Sequence, residues 1–204
     1  MALTVALQMD PLESIDISTD SSFVLGLEAL RRGHKLYHYL PRHISFTGGG
    51  GGGSGGARIC ARTRTLTLRR EKGNHAMLGV FEIRDLAEFN VILMRQDPPF
   101  DMAYITATHM LERIHPATFV VNDPVEVRNA PEKLFVSHFG DLMPPTLISS
   151  NYDEIAAFRA EYKDLIVKPL FGNGGSGVFH IGPDDENLSA LIEMFTGRSN
   201  EPII

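Results

Sequence analysis

The chain has 204 residues, enough for one large domain or two small ones, and its 43% hydrophobic content allows a sizeable core. A formal net charge of −6 argues against a general nucleic-acid binder, though a few local lysines can still receive ATP on a mildly acidic surface. The single cysteine, Cys60, excludes an internal disulfide.

Leu3 to Leu7 is a short apolar run closed by Asp10-Pro11, which predicts a buried first strand. The N-terminus has no basic start and its apolar run is broken at Asp10, so it does not read as a signal peptide. No apolar segment approaches the roughly 18 residues a membrane span needs. The expectation is a cytoplasmic protein with no membrane and no nucleic-acid partner. Asp20 to Arg32 places Phe23, Leu27 and Leu30 at helical spacing, with Gly33 as the C-cap, and Lys35 to Leu40 predicts a second strand before Pro41. Strand, helix and strand joined by short links form a βαβ unit, which implies parallel pairing.

Gly48 to Gly56 reads GGGGGGSGG and holds eight of the 19 glycines. Such a run has no side chains to pack and carries maximal backbone entropy. It could cradle phosphate, but no lysine or helix start accompanies it, and it reads as a flexible connector. Its flanks, Ile44 to Thr47 and Ile59 to Leu68, predict two strands, so the tract becomes an overlong hairpin tip.

Val91 to Met94 predicts another buried strand, stopped by Asp97-Pro98-Pro99, and Asp101 to Ile114 a helix that Asp101 caps. Thr118 to Val121 is the next strand, ended by Asn122-Asp123-Pro124. Residues 1–124 therefore read as an open parallel-sheet α/β domain, with loops at the strand C-termini where ligands bind. Asp10 and Asp97 both follow strand ends, and Asp97 stays open between a ligand role and a structural one.

Residues 125–204 read as a compact α+β unit. It comprises a short helix at Pro131 to His138, a strand at Thr146 to Ser149, a helix at Tyr152 to Tyr162 and strands at Leu165 to Leu170 and Val178 to Ile181. A helix at Glu186 to Phe195 follows, and Pro202 to Ile204 opens one more strand.

The chemistry concentrates between two of these strands. Lys168 lies in an otherwise apolar strand, where burial is costly unless an anion pairs with it. It is either a phosphate ligand or an edge lysine reaching water. The following loop, Gly172-Asn173-Gly174-Gly175-Ser176-Gly177, favours the first alternative, because glycines let backbone N–H groups approach an anion and Ser176 adds a hydroxyl. The loop does not end in Gly-Lys-Ser/Thr, so it is no Walker A loop, and it lacks the dinucleotide GxGxxG spacing. Lys133 by itself reads as an exposed helix lysine. The eight histidines are scattered without metal spacing, and no Ser-His-Asp or Cys-His pattern supports a hydrolase.

A set of segments in fixed order carries a resemblance. These are Gln8-Met9-Asp10-Pro11 with Ser14-Ile15; Asp20-Ser21-Ser22-Phe23; Glu28 to His34; Val91 to Asp101; Val121-Asn122-Asp123-Pro124; Asn129 to Phe135; and Val167 to Val178. Together they resemble the prokaryotic-type glutathione synthetases of the ATP-grasp superfamily. The resemblance implies a pre-ATP-grasp domain followed by the N-terminal part of an ATP-grasp domain. It implies that Lys133 and Lys168 contact ATP phosphates and that Gly172, Asn173, Gly174, Gly175, Ser176 and Gly177 form the loop covering them. Asp10, Ser14 and Asp97 become substrate-side candidates. The implied reaction joins γ-glutamylcysteine to glycine through an acyl phosphate, with ATP and Mg²⁺, in an enzyme that is a homo-oligomer at full length. The metal and catalytic ligands of the family are expected beyond Ile204, so the 204-residue chain alone is expected to be inactive. Alternatives are another ATP-grasp carboxylate–amine ligase, or a non-catalytic nucleotide-binding or interaction fragment.

Overall fold

Alternation along the first strand sets up the N-terminal core. Ala6 faces one side of the sheet, whereas Val5, Leu7 and Met9 face the other, and all are buried. The computed structural model describes residues 1–48, 56–172, 174–199 and 202–204. Asn173, Asn200, Glu201 and residues 49–55 of the glycine tract lie outside the described residues. The chain divides into one unit of Met1–Asp97 with Asp101–Asn129 and a second of Pro98–Phe100 with Ala130–Ile204.

The first unit begins β1 (Thr4–Gln8), α1 (Ser21–Arg31), β2 (Lys35–Tyr39). Asp20 caps α1 by accepting the Phe23 N–H at 2.6 Å. At the other end Gly33 takes φ +77°. Its N–H reaches the Leu30 carbonyl, and the His34 N–H reaches that of Ala29, which is a Schellman ending. β1 and β2 pair in parallel, as the βαβ order predicts. Then come β3 (Ile44–Thr47), β4 (Arg58–Leu68), β5 (Ala76–Leu78), β6 (Glu82–Asp85) and β7 (Val91–Met94). α2 (Met102–Glu112), β8 (Phe119–Val121) and α3 (Pro124–Asn129) complete the unit. Asp101 caps α2 through the Tyr104 N–H at 2.9 Å.

The sheet is mixed. Strands β2, β1, β7 and β8 run parallel, while β4 lies antiparallel to β2, β3, β5 and β6. The parallel reading holds for the βαβ portion. It does not extend to β4, which turns back on β3 as a hairpin and runs antiparallel to β3 and to β2. β3 and β4 form the expected hairpin, with Thr47 opposite Arg58. β5 and β6 are further partners of β4 that the hydrophobic pattern did not single out. Gly26 marks where α1 meets the sheet: a Cβ there would come within 2.6 Å of Leu68 Cδ1 and 3.2 Å of Leu36 Cδ2.

The second unit contains α4 (Glu132–Phe135), α5 (Tyr152–Tyr162), β9 (Leu165–Val167), β10 (Phe179–Ile181) and α6 (Leu188–Ser199). A 3₁₀ stretch, Val136–Leu142, continues α4, so the predicted single helix of Pro131 to His138 breaks up. β9 and β10 pair antiparallel. The strand expected at Thr146 to Ser149 is reduced to one bridge, Ser149 with Ile203. The core of this unit joins Ile155 of α5, Leu165 and Val167 of β9, Ile181 of β10, Leu188, Leu191 and Ile192 of α6, and Ile203.

Candidate functional site

In the second unit, strand alternation decides where Lys168 points. Leu165 and Val167 are buried in the core, so Ile166 and Lys168 fall on the opposite, exposed face. The backbone at Lys168 is tied down, its N–H bonding the Ile204 carbonyl at 2.8 Å and its carbonyl accepting the Ile204 N–H at 3.0 Å. Its ammonium has no ion-pair partner among the described residues.

The glycine loop that follows wraps around Pro169. Gly174, Gly175 and Gly177 take φ of +60°, +78° and +70°, a region that side chains with a Cβ avoid. Gly172 has a different reason: a Cβ there would stand 2.5 Å from Pro169 Cγ, part of a rigid ring. Ser176 is exposed. The loop therefore needs its glycines for geometry that a plain two-residue turn does not demand.

Lys133, which by itself reads as an exposed helix lysine and which the resemblance alone marks as a phosphate contact, is half-buried at the root of this loop. Its ammonium donates to the carbonyl oxygens of Pro169 and, at 2.8 Å, of Gly172. Burial and the charge of Lys168 hold its pKa below the ordinary lysine value, against the opposing pull of Glu132. Two cations that repel each other beside a loop of flexible N–H groups form a natural receptor for anionic oxygen. A cleft of 450 Å³ in the same unit is lined by Leu147, Ile155, Phe158, Val167, Lys168 and Ile203, among others. No described residue of the glycine loop lines it.

In the first unit, parallel pairing of β1 with β7 brings two predicted carboxylates together. Asp10 Oδ2 accepts the backbone N–H of Asp97 at 2.7 Å. Burial, then Asp10 and Asp20, raise the Asp97 pKa, and Arg95 only partly offsets them. Ser14 donates its hydroxyl to the Pro11 carbonyl at 2.6 Å, closing a local turn. Arg95 went unremarked in the sequence. It reaches back to α1, donating to Ser21 Oγ at 2.8 Å and Ser22 Oγ at 3.3 Å. Gln8, at the end of β1, bonds Gln96 but leaves its own Oε1 buried and unpartnered among the described residues. A charged residue directly after the apolar run of β7 was the available signal for Arg95.

Among the described residues no three His, Cys, Asp or Glu side chains group as metal ligands, and no helix is long and apolar enough to cross a membrane.

A family model sets the class: the ATP-grasp domain of prokaryotic glutathione synthetase matches the second unit, so this is an ATP-grasp chain. It is similar in fold to D-cycloserine synthetase DcsG (TM-score 0.56, 16% identity, 98% of this chain and 57% of that one). It is also similar in fold to D-alanyl-alanine synthetase A from Vibrio cholerae (TM-score 0.55, 13% identity, 100% and 60%), likenesses that concern the fold alone. Family models specify it further: the prokaryotic glutathione synthetase N-terminal domain matches residues 3–128, and the ATP-grasp domain of the same family matches residues 132–204. The chain belongs to the prokaryotic glutathione synthetase family. Among curated relatives, the glutathione synthetase of Mesorhizobium japonicum is 53% identical and that of Brucella melitensis 52%, each over all 204 residues. The chain spans 63% of the length of each.

Proposed function

We propose that this chain supplies the phosphate-binding part of an ATP-dependent carboxylate–amine ligase that joins γ-glutamylcysteine to glycine. The observation that carries the proposal is the convergence of Lys133, Lys168 and the Gly172–Gly177 loop, in a chain whose family is glutathione synthetase. Lys168 is a point charge with a fixed backbone and an ammonium without an ion-pair partner among the described residues, suited to a phosphate oxygen. Lys133 exchanges loop carbonyls for phosphate oxygen. The N–H groups of Gly174, Gly175, Ser176 and Gly177 close over the remaining phosphate charge, with Asn173 counted in the same loop by resemblance.

In the proposed reaction a carboxylate oxygen of γ-glutamylcysteine attacks the γ-phosphorus and ADP leaves, giving an acyl phosphate. The amine of glycine then attacks the acyl carbon, loses a proton and expels phosphate as the amide forms. The lysines offset charge on the transferring phosphoryl group, and a closed loop keeps water from the acyl phosphate. Mg²⁺ when bound would supply further charge neutralisation between the phosphates. The described residues offer it no grouped ligands, so no step is assigned to it.

Asp10, Ser14 and Asp97 remain the candidates for the substrate side. Two carboxylates suit the ammonium end of a peptide substrate, and Arg95 beside them suits a carboxylate.

Two measurements test the reading. Equilibrium titration of the 204-residue chain with a fluorescent ATP analogue should saturate, and Lys168→Gln should weaken it about tenfold. A chimera continuing this chain with the remainder of the Mesorhizobium japonicum relative should release phosphate from ATP only when γ-glutamylcysteine and glycine are both present. Turnover with a different acid–amine pair would overturn the substrate assignment, and absence of saturable nucleotide binding the site assignment.

A further inference from the structure

A second concentration of positive charge lies in the first unit, and none of its residues belongs to the lysine and glycine-loop set. A pocket of 160 Å³ sits beyond the C-terminal ends of β1 and β2 and against β4. Arg42 and His43 enter it from the 3₁₀ turn after β2, and Arg62 and Arg64 from β4. The last two share a face because Ala61 and Thr63 between and beside them are buried.

Phe81 organises this group. The Arg62 guanidinium stacks 3.8 Å from the Phe81 ring centroid and that of Arg64 4.6 Å, while the His43 ring meets Phe81 edge-on at 6.1 Å. Stacking holds the planar guanidiniums by their faces and leaves their N–H edges to bond elsewhere. Arg64 uses its Nε on the Gly79 carbonyl at 2.7 Å, leaving its terminal nitrogens for another acceptor.

No carboxylate neutralises the three arginines. None of them forms an ion pair among the described residues, and neither does Glu13, the one acidic side chain in the lining. His43 keeps a buried Nδ1 without a hydrogen-bond partner among the described residues. Its pKa is lowered first by burial and then by the charges of Arg42 and Arg62, against the opposing pull of a hydrogen bond with the Arg62 backbone. The histidine of β2, His38, also lines the pocket.

We propose that this pocket binds a small oxyanion, a phosphate or carboxylate group on a compact carrier, through the guanidinium edges of Arg42, Arg62 and Arg64. Two arginines held by Phe81 and a third lining the same small volume match the planar, bidentate recognition that such groups favour.

The test is residue-resolved NMR of the histidine Cε1–H signals in the 204-residue chain, at constant ionic strength. One arm is titrated with inorganic phosphate and the other with succinate. The expected result is a saturable shift of His43 with at least one of them, while His75, which lies outside the pocket, stays in place. Tighter binding of phosphate or of succinate identifies the source of the oxyanion, and either supports the site. Arg42→Gln with Arg62→Gln should raise the half-saturation concentration about tenfold or more. Lys168→Gln should leave it unchanged, which separates this pocket from the nucleotide site. Should the double variant unfold, Arg62→Lys, which keeps charge but loses the stacked fork, should still weaken binding. Linear, non-saturating shifts that are the same in wild type and variants would overturn the proposal.

Discussion

Lys133 donates its ammonium to the carbonyl oxygen of Gly172 at 2.8 Å, across 39 residues of sequence. The same ammonium also holds the carbonyl of Pro169, so one side chain pins both sides of the bend that starts the glycine loop. Phosphate arriving at this cation competes directly with the loop's own root. Lys133→Met should therefore speed amide exchange through residues 174–179, measured by hydrogen–deuterium exchange, and weaken the ATP analogue about tenfold. Unchanged exchange in the variant would show that the tether does not restrain the loop.

The loop glycines should not tolerate a Cβ. Gly175→Ala places alanine at φ +78°, a strain of about 1–2 kcal/mol. Gly172→Ala drives a Cβ against the Pro169 ring at 2.5 Å, an overpacking of about 1–3 kcal/mol. Denaturant unfolding should register these losses, or nucleotide affinity should fall by the equivalent factor if the loop absorbs the strain. Ser176→Ala, at an exposed position in the same loop, should leave stability within about 0.5 kcal/mol of wild type.

Asp97 makes a pH prediction with a definite sign. Its folded pKa lies above the ordinary carboxylate value, through burial and then the charges of Asp10 and Asp20. The folded state thus binds this proton more tightly than the unfolded one, and ionised Asp97 destabilises the fold. That destabilisation is complete above the raised folded pKa and fades as pH falls through it toward 3.8. Asp97→Asn should raise the thermal midpoint at neutral pH, and the difference from wild type should shrink on acidification through that window. An equal gain at all pH values would place its origin outside the charge.

Helix α1 offers two backbone tests. Gly33→Ala should cost about 1–2 kcal/mol, since the Schellman ending requires φ +77° at that residue. Gly26→Val should cost about 1–3 kcal/mol, because Leu68 and Leu36 occupy the space the side chain needs. Thermal or urea unfolding measures both, and neutrality at Gly26 would mean that the helix can lift from the sheet without loss.

Much of the architecture was legible because the elements differ in period. The β1–α1–β2 succession and the caps at Gly33 and Asp101 follow from local rules and match the structure, and strands flank the Gly172–Gly177 loop as expected, although β9 stops at Val167, three residues short of the predicted Leu170. Strands β5 and β6 were missed, because only three or four residues each pair with the long β4 and neither has a buried, alternating pattern. Lys168 was visible as a lysine in an apolar strand. Lys133 was marked only through the family resemblance, since its half-burial arises from contacts with residues far along the chain. Arg95 was equally silent until β7 paired beside β1 and brought it to Ser21 and Ser22.

The sequence by itself determined which residues carry backbone freedom, which faces seek burial, and which segments mark the prokaryotic glutathione synthetase family. These are local properties of side-chain chemistry and spacing. Only the tertiary structure decided the partners: β4 running antiparallel beside β2, Asp10 holding the Asp97 backbone, and Arg62 and Arg64 stacked on Phe81 in a pocket that Arg42 also lines. Periodicity states that a face is to be covered. Which distant segment covers it, and which polar groups then share one small volume, depends on strand register and on packing among residues that no short window of sequence contains.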